Sequence, residues 1–295
     1  MCTGGGRYLS ERAFWTKVVA RNYANNINSA CILRDKLTFW FFCKGAGLPT
    51  PEVFAYAIHG HYFADGQVCD WETWVARLRQ EKVFFFKDVF GCCARSVYKV
   101  TVIEGRFFID GRETDLKTPM RLGNVFLAQK QIVNHEVLQR INPASVNTIR
   151  FITLCTPRTN DDPVLVVPPL LRVGTTGVAV DNWATGGLAI AIDGRGCLKG
   201  PGFYKPGHEG YEPRVTKHPV SGIRLDGMPI PEYVVACDLV LRAHGLLRDL
   251  TIVGWDVAIT PEGPVLIEGN DNPEISLHQI VAGPLRDVIL PLMRK

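Results

Sequence analysis

The stretch 254-GWDVAITPEGPVLIEGNDNPEI-275 contains acidic side chains inside runs that otherwise resemble buried strands. The two runs flank Pro261 and Gly263, and apolar runs separated by turn residues of this kind predict a β-hairpin. Four carboxylates stand in or just after the runs: Asp256, Glu268, Asp271 and Glu274. Because an unpaired charge is costly to bury, these positions need a physical explanation.

The predicted hairpin brings some of these polar side chains together. If Thr260–Gly263 form the turn, Asp256 and Glu268 stand near each other on one face of the sheet. Asn270 shares that face with Glu268, because side chains alternate along a strand with a period of two. Two carboxylates and an amide oxygen suit Mg²⁺, whereas without a metal one carboxylate takes up a proton. The alternative is an edge hairpin with solvated acids, which the apolar neighbours disfavour.

The composition is that of an ordinary globular chain, with 46% hydrophobic and 21% charged residues among 295. The net charge of +4 comes without a long block of lysine and arginine, so nucleic-acid binding is not indicated. No apolar run is long enough to span a membrane, and the first residues lack the apolar core of a signal peptide. The nine cysteines show no CxxC spacing, which favours reduced thiols in a cytoplasmic protein.

Apolar periodicity predicts an α+β protein. Helices are predicted over 10–22, 35–45, 70–80, 231–243 and, with Gly283 and Pro284 inside it, Ile280–Met293. Strands are predicted over 82–88, 97–103, 106–109, 125–129, 148–153, 164–167, 170–173 and 188–192, besides the hairpin. We expect a helical N-terminal segment (1–80), a first lobe (81–132) and a second lobe (133–295).

The hairpin resembles the metal-binding hairpin of ATP-grasp enzymes, in which an Asp on one strand precedes Glu-x-Asn on the next. The letters GWDVAITPEGPVLIEGN are most similar to the sugar-transfer-associated ATP-grasp group. Over roughly residues 35–293, the resemblance implies an ATP-grasp fold, with two α+β lobes clasping ATP. By this resemblance we expect a short helical N-terminal segment in place of the full domain that usually precedes the fold. One or two Mg²⁺ ions, with Mn²⁺ as an alternative, would be held by Asp256, Glu268 and Asn270.

Further segments resemble the parts of the family that hold the nucleotide. The segments 35-DK-36 and 84-FFFKDVFGCCARS-96 imply that Lys36 and Lys87 approach the phosphates. The segment after Lys87 departs from the family, because Gly91 is its only glycine and a phosphate cradle needs accessible backbone N–H groups.

The segment 127-LAQKQIVNHE-136 resembles the hinge that reads the adenine edge. It implies nucleotide contacts by Gln129, Lys130, Gln131, Ile132 and Glu136. The segment 217-KHPVSG-222 implies that Lys217 or His218 contacts phosphate or substrate.

Two arginines are implied as catalytic residues. The segment 145-SVNTIRFITL-154 places Arg150 on a strand, and Arg172 opens a segment that also contains Asn182 and a Gly-Gly pair near the γ-phosphate in the family. A guanidinium can stabilise an acyl-phosphate oxyanion through paired hydrogen bonds. A structural salt bridge is the alternative for Arg150. Many ligases of the superfamily have an arginine where this chain has Trp255, so the oxyanion role falls to Arg150 or Arg172.

The resemblance implies a ligase that joins a carboxylate to an amine through an acyl phosphate. The expected partners are ATP and small-molecule carboxylate and amine substrates, with a carboxylated sugar as one candidate, and no nucleic acid or membrane span. A homo-oligomer could complete the acceptor site. One alternative is an ATP-dependent phosphotransferase. The other is a non-catalytic nucleotide-binding module, which the glycine-poor loop favours and the metal-ligand set disfavours.

Overall fold

The computed structural model describes residues 7–91, 97–120, 125–175, 183, 186–207 and 212–294. The chain divides into two compact units. The larger comprises Met1–Arg34, Ala46–Pro49 and Val133–Lys295, and the smaller comprises Asp35–Gly45 and Thr50–Ile132. Residues 1–80 therefore contribute to both units, whereas 81–132 belong to the smaller unit and 133–295 to the larger.

The helices of the described ranges are, in chain order, α1 (Glu11–Phe14), α2 (Ala20–Arg34), α3 (Lys36–Gly45), α4 (Trp71–Leu78), α5 (Lys117–Met120), α6 (Glu136–Ile141), α7 (Tyr233–Gly245), α8 (Ser276–Ala282) and α9 (Arg286–Leu292). A π-helical turn over Trp15–Val19 joins α1 to α2. None of these helices has the length and apolar character needed to cross a lipid bilayer.

The strands are β1 (Val53–Ile58), β2 (His61–Ala64), β3 (Gln67–Cys69), β4 (Val83–Asp88), β5 (Val97–Ile103), β6 (Arg106–Ile109), β7 (Arg112–Thr114), β8 (Val125–Lys130), β9 (Thr148–Leu154), β10 (Val164–Leu165), β11 (Leu170–Val173), β12 (Leu188–Ile192), β13 (Leu198–Phe203), β14 (Arg214–Val215), β15 (Ile252–Thr260) and β16 (Gly263–Asn270). They form two antiparallel sheets, one in each unit. The predicted α+β class is confirmed.

The C-terminal helix differs from the prediction of one helix over Ile280–Met293. The structure has two helices there, because α8 ends at Ala282 and α9 begins at Arg286. Gly283 adopts a φ of 99°, outside the helical region, and Pro284 has no N–H to continue the helical ladder.

The strands β1 to β3 lie in a stretch where the sequence analysis assigned no element. Both connections between them are two-residue turns with positive φ, His59-Gly60 and Asp65-Gly66. Two positive φ values in succession are typical of the tight turns that join hairpin strands, and Asp-Gly is among their strongest sequence signals. The signal for these strands was therefore present in the sequence. Strand β13 likewise lies in a stretch to which the sequence analysis assigned no helix or strand.

The smaller unit is a sheet in the order β3-β2-β1-β8-β4-β5-β6-β7. Alternation along β4 directs Phe84 and Phe86 into an aromatic core with Trp74 of α4. The other face carries α3, whose Trp40 packs near Leu127. Lys87 lies directly opposite Leu127, so its side chain shares the face that carries α3.

The larger unit is a sheet in the order β14-β13-β12-β11-β9-β15-β16, with β10 also paired to β9. Helix α7 packs on one face, against β9, β15 and β16. On the other face, Ile152 and Ile252 lie under the N-terminal helical segment and α9. Every residue of β15 is buried, so this strand lies entirely within the core of the unit.

The base of the β15–β16 hairpin is fastened by the buried side chain of Asn22. Its amide nitrogen donates to the carbonyl oxygens of Ile252 (2.8 Å) and Asp271 (2.7 Å). Its amide oxygen accepts from the N–H groups of Thr251 (2.7 Å) and Ile252 (3.2 Å). One side chain thus joins the start of β15 to the residue that follows β16.

The α7 face of β15 is fixed by a second buried polar group. Trp255 donates from Nε1 to the hydroxyl of Thr153 at 2.8 Å, and His244 of α7 contacts the same hydroxyl through Nδ1 at 2.6 Å. The other ring nitrogen of His244 lies 2.8 Å from the carbonyl oxygen of Leu250. Burial lowers the pKa of His244 to about 4, so the ring is neutral near pH 7.

We predict that Asn22→Ala lowers the free energy of unfolding by about 3 kcal/mol, because buried backbone groups lose their partners. Chemical denaturation measures this loss. Asn25→Ala is the control, because the exposed Asn25 makes only two side-chain contacts to this region, both at 3.4 Å. Equal losses in the two variants would contradict the fastening role of Asn22.

We also predict that the stability difference between wild type and His244→Gln narrows as the pH falls from 6.5 to 4. The unfolded chain takes up a proton at this histidine near its ordinary pKa of about 6.5, whereas the folded chain does so only near pH 4. The stability from neutral His244 is thus present above pH 6.5 and lost as the pH falls, by up to about 3 kcal/mol. Denaturant titrations at several pH values test this, and a constant difference would contradict it.

Candidate active site

The candidate metal and arginine residues lie on the neighbouring strands β11, β9, β15 and β16 of the larger unit. Arg150 of β9 is directly opposite Asp256 of β15, and Asp256 is directly opposite Glu268 of β16. Asn270 lies two residues beyond Glu268, opposite Gly254. The expectation that the two carboxylates and the amide share one sheet face is therefore confirmed by the strand register.

This register depends on a β-bulge. From the turn, Thr260 pairs with Gly263 and Val257 pairs with Leu266, so an unbroken ladder would place Ile267 opposite Asp256. A shift between Asp256 and Val257 places Glu268 there instead. A bulge is a common means of redirecting a side chain beside a functional site.

The turn after β16 folds back over this face. A Cβ added to Gly254 would lie 2.7 Å from the Cβ of Pro273, too close for any other residue without a shift. The close approach of Pro273 thus requires glycine opposite Asn270. Asp271 is held outside the strand by Arg34, whose NH2 group lies 2.8 Å from Oδ2 of Asp271.

Two guanidiniums hold Asp256. Arg150 binds it with two donors, Nε on Oδ1 and NH2 on Oδ2, the latter at 3.0 Å. Arg172 of β11 reaches Oδ2 at 2.8 Å and also donates to the hydroxyl of Thr148 at 2.7 Å. The Arg150 and Arg172 side chains are only 12% and 14% exposed, and that of Asp256 only 3%. The salt bridge left open for Arg150 is therefore present, and it lies inside the candidate site.

The two neighbouring carboxylates have opposite protonation tendencies. Burial would raise the pKa of Asp256, but the charges of Arg150 and Arg172 outweigh it and hold this pKa well below its usual range. The pKa of Glu268 is raised, first by burial and then by the charge of Asp256. The expectation that one carboxylate takes up a proton in the absence of a metal thus applies to Glu268.

The donor set around Glu268 fits a hard divalent cation. The side-chain nitrogen of Asn270 is buried without a hydrogen-bond partner in the described part of the chain, and the two ends of an amide are interchangeable in shape. Carboxylate and amide oxygens with additional phosphate or water ligands are the usual environment of Mg²⁺. Among the described residues no group of three or more His, Cys, Asp or Glu could hold an ion, so the amide completes the set. Ligation by Asp256 requires at least one arginine contact to open.

The candidate phosphate contacts Lys36 and Lys87 both belong to the smaller unit. The ammonium of Lys87 donates to Oε1 of Gln129 at 2.5 Å, on the sheet face that carries α3. Lys36 donates to the carbonyl oxygen of Gly91 and approaches that of Val89 at 3.4 Å. Both ammonium groups thus lie at polar positions of the same unit, and Lys36 lies where the segment 91–96 begins. Residues 92–96 of that segment, like Asn182, lie outside the described residues.

The remaining nucleotide candidates lie nearer the surface. Lys130 forms an ion pair with Glu52 at 2.9 Å, Gln131 is exposed and Ile132 is half-buried. In the larger unit, Glu136 and Lys217 are exposed.

His218, an alternative to Lys217 as a ligand contact, is buried. Its ring nitrogens lie 2.9 Å from the carbonyl oxygen of Gly174 and 3.1 Å from the hydroxyl of Ser221. Both nitrogens are therefore engaged in packing the loop.

Sequence analysis missed one residue next to the arginines, His278 of α8. Burial, reinforced by the charge of Arg150, lowers its pKa to about 3. The histidine in the stretch 275-ISLHQIVA-282, which also contains Ser276 and Gln279, was the only available signal, and it does not reveal proximity to a residue more than a hundred positions away.

Comparison with known proteins agrees with this architecture. The family described as sugar-transfer associated ATP-grasp matches residues 74–288, whereas no curated protein sequence matches the chain. The D-alanine–D-alanine ligase from Coxiella burnetii is similar in structure, with 11% identity, a TM-score of 0.50 and coverage of 91% of this chain and 59% of that one. The chain thus spans about three fifths of the length of that ligase.

Two other solved structures are similar with lower TM-scores. The D-alanine–D-alanine ligase from Bacillus anthracis has 12% identity, a TM-score of 0.49 and coverage of 91% of this chain and 69% of that one. The N5-carboxyaminoimidazole ribonucleotide synthetase from Thermotoga maritima has 14% identity, a TM-score of 0.42 and coverage of 81% and 42%. The family match extends over well over half of the chain and confirms the predicted ATP-grasp fold, so the chain belongs to the sugar-transfer associated ATP-grasp family.

Proposed function

We propose that the chain is an ATP- and Mg²⁺-dependent ligase that joins a small carboxylate to an amine through an acyl phosphate. The observation that carries the proposal is the row formed by Arg150, Asp256 and Glu268, with Asn270 beside it. Cationic donors for an oxyanion and oxygen ligands for a divalent cation lie side by side on one sheet face. Family membership and the ligase names of the similar structures support the same chemistry.

In this proposal Glu268 and Asn270, together with Asp256, hold one or two Mg²⁺ ions, and Mn²⁺ could replace them. The bound cation supplies neutralisation of charge on the transferring phosphoryl group. Glu268 would hold the ion as a carboxylate, and the positive charge of the ion would oppose the effects of burial and of Asp256 on the pKa of Glu268. Asn270 contributes an oxygen without adding negative charge.

The proposed catalytic residues are Arg150 and Arg172. A substrate carboxylate attacks the γ-phosphorus of ATP, ADP leaves, and the amine then attacks the acyl carbon as phosphate leaves. Negative charge develops on oxygen in both steps, and fixed guanidinium donors stabilise it. Because the two side chains are largely shielded from water, their interaction with an oxyanion is stronger than it would be at the surface.

The smaller unit is proposed to supply Lys36 and Lys87 as phosphate contacts. The remaining nucleotide contacts are proposed for Gln129, Lys130, Gln131, Ile132, Glu136 and Lys217. A carboxylated sugar or a related metabolite is a candidate substrate by family context, in a cytoplasmic setting and with a homo-oligomer as one way to complete the acceptor site.

Incubation of the protein with Mg-ATP and pools of carboxylates and amines tests the proposal by mass spectrometry. We expect ADP, phosphate and a product lighter than its two substrates by one water. ADP with a phosphorylated product would instead identify a phosphotransferase. Nucleotide binding without turnover in any pool would identify a non-catalytic module.

We predict that Glu268→Gln abolishes Mg²⁺-dependent turnover while leaving the unfolding transition intact, because a neutral amide replaces the central carboxylate ligand. Glu262→Gln is the matched control, since this exposed glutamate lies in the turn of the same hairpin. Metal titration and kinetics on both variants measure the effect. Wild-type activity in Glu268→Gln would exclude Glu268 as an essential ligand.

We predict that Arg150→Lys lowers kcat by about 100-fold or more, with little change in Mg-ATP affinity. Lysine keeps the charge but loses the planar fork that can bind two oxygens at once. Arg224→Lys, at a side chain that is 75% exposed, is the control. An unchanged kcat in Arg150→Lys would remove Arg150 from the proposed oxyanion site.

A further inference from the structure

The imidazole of His278 is a buried polar group that neither the fold nor the metal site explains. The residue is 0% exposed, and neither ring nitrogen makes a hydrogen bond of acceptable geometry within the described ranges. Among the residues that the structure describes, the other two buried histidines of the larger unit, His218 and His244, have partners at both nitrogens. His278 is therefore not simply another core histidine with satisfied polar atoms.

An apolar side chain at this position would be less costly for the fold. A buried polar atom without a partner destabilises the folded state, because it has given up its hydrogen bonds to water. In α8, Leu277 and Val281 pack on a cluster that contains Leu170 and Ala191, whereas the buried side chain of Gln279 hydrogen-bonds both backbone polar groups of Leu9. The polarity of Gln279 is thus satisfied within the fold, whereas the polarity of His278 points to a function at the active site.

The neighbours of the ring indicate what that function is. Leu277 of α8 packs in one cluster with Leu170, which lies directly opposite Arg150, so α8 lies on the sheet face that carries Arg150 and Arg172. Burial and then the charges of the two arginines lower the pKa of the imidazole, whereas the backbone carbonyls of Arg150 and Glu274 raise it. A neutral imidazole has one N–H donor and one lone pair. A carbonyl can take the N–H, which leaves the lone pair as an acceptor beside two guanidiniums.

A neutral acceptor does something here that Asp256 cannot do. Asp256 orients both arginines but also cancels part of their positive charge. If Asp256 also held the metal, as proposed above, the guanidiniums would need another acceptor to stay in position. An imidazole lone pair orients them without adding negative charge that would repel an incoming anion.

We propose that His278 is a positioning residue whose neutral imidazole accepts a hydrogen bond from the Arg150–Arg172 pair and holds it towards an anionic oxygen of the substrate. This inference rests on the proposed function. Helix α8 would thus contribute to the affinity of the arginine pair for an anion, a role separate from metal binding and from nucleotide binding.

The test uses inorganic phosphate as the anionic probe, titrated calorimetrically into the full chain saturated with Mg-ADP. His278→Leu keeps the approximate volume but removes the acceptor, and we expect about tenfold weaker phosphate binding with unchanged Mg-ADP affinity. His278→Gln keeps an acceptor, and we expect it to recover most of the affinity. If His278→Leu does not fold, His278→Met takes its place, with the same expected loss.

A double-mutant cycle with Arg150→Lys separates positioning from general packing. If His278 acts through Arg150, adding His278→Leu to Arg150→Lys lowers phosphate affinity little further. Fully additive losses, or unchanged phosphate affinity in His278→Leu, would overturn the inference while leaving the ligase proposal intact. Failure of the wild type to bind Mg-ADP would overturn both.

Discussion

The direct pairing of Asp256 on β15 with Glu268 on β16 is the constraint on which the candidate site of the larger unit depends. It places two carboxylates side by side, and several local features stabilise this arrangement. The bulge sets the register, Gly254 admits Pro273, and Asn22 joins the two ends of the hairpin. On the opposite face, Trp255 and His244 fix β15 through the hydroxyl of Thr153.

Electrostatics then divides the roles of the two acids. Two guanidiniums keep Asp256 ionised although it is buried, whereas Glu268 is driven towards its protonated form by burial and by Asp256. A divalent cation would remove the conflict at Glu268 and compete with the arginines for Asp256. In the proposed site, cation binding and the release of arginine donors would thus be linked through the carboxylate of Asp256.

Much of this site was predictable because a strand has a simple period. The alternation along β16 put Glu268 and Asn270 on one face, and the aromatic strand β4 gave the position of Lys87, whereas the pairing of Asp256 with Glu268 depends on the bulge. The bulge was not predictable, since nothing in the letters around Ile267 distinguishes one extra residue from a straight ladder. The contact between Arg172 and Asp256 was not predictable either, because it depends on the strand order β11-β9-β15 and joins residues that are 84 positions apart in the chain.

Other differences have equally specific causes. The break between α8 and α9 follows from Gly283 and Pro284, which were visible in the sequence but were placed inside one helix. His278 is neutral because it is buried beside two arginines, which lower the pKa of its ring. The burial of one polar residue in a short helix that also contains Gln279 cannot be inferred from periodicity alone.

The most direct measurement is the location of the metal in crystals grown with Mn²⁺ and a non-hydrolysable ATP analogue. Anomalous scattering locates the ion without any assumption about which side chains bind it. We expect a peak within coordination distance, about 2.0–2.2 Å for a small divalent cation, of a Glu268 carboxylate oxygen, with Asn270 or Asp256 as a further ligand. An ion bound to the nucleotide but to none of these three side chains would contradict the proposed metal site.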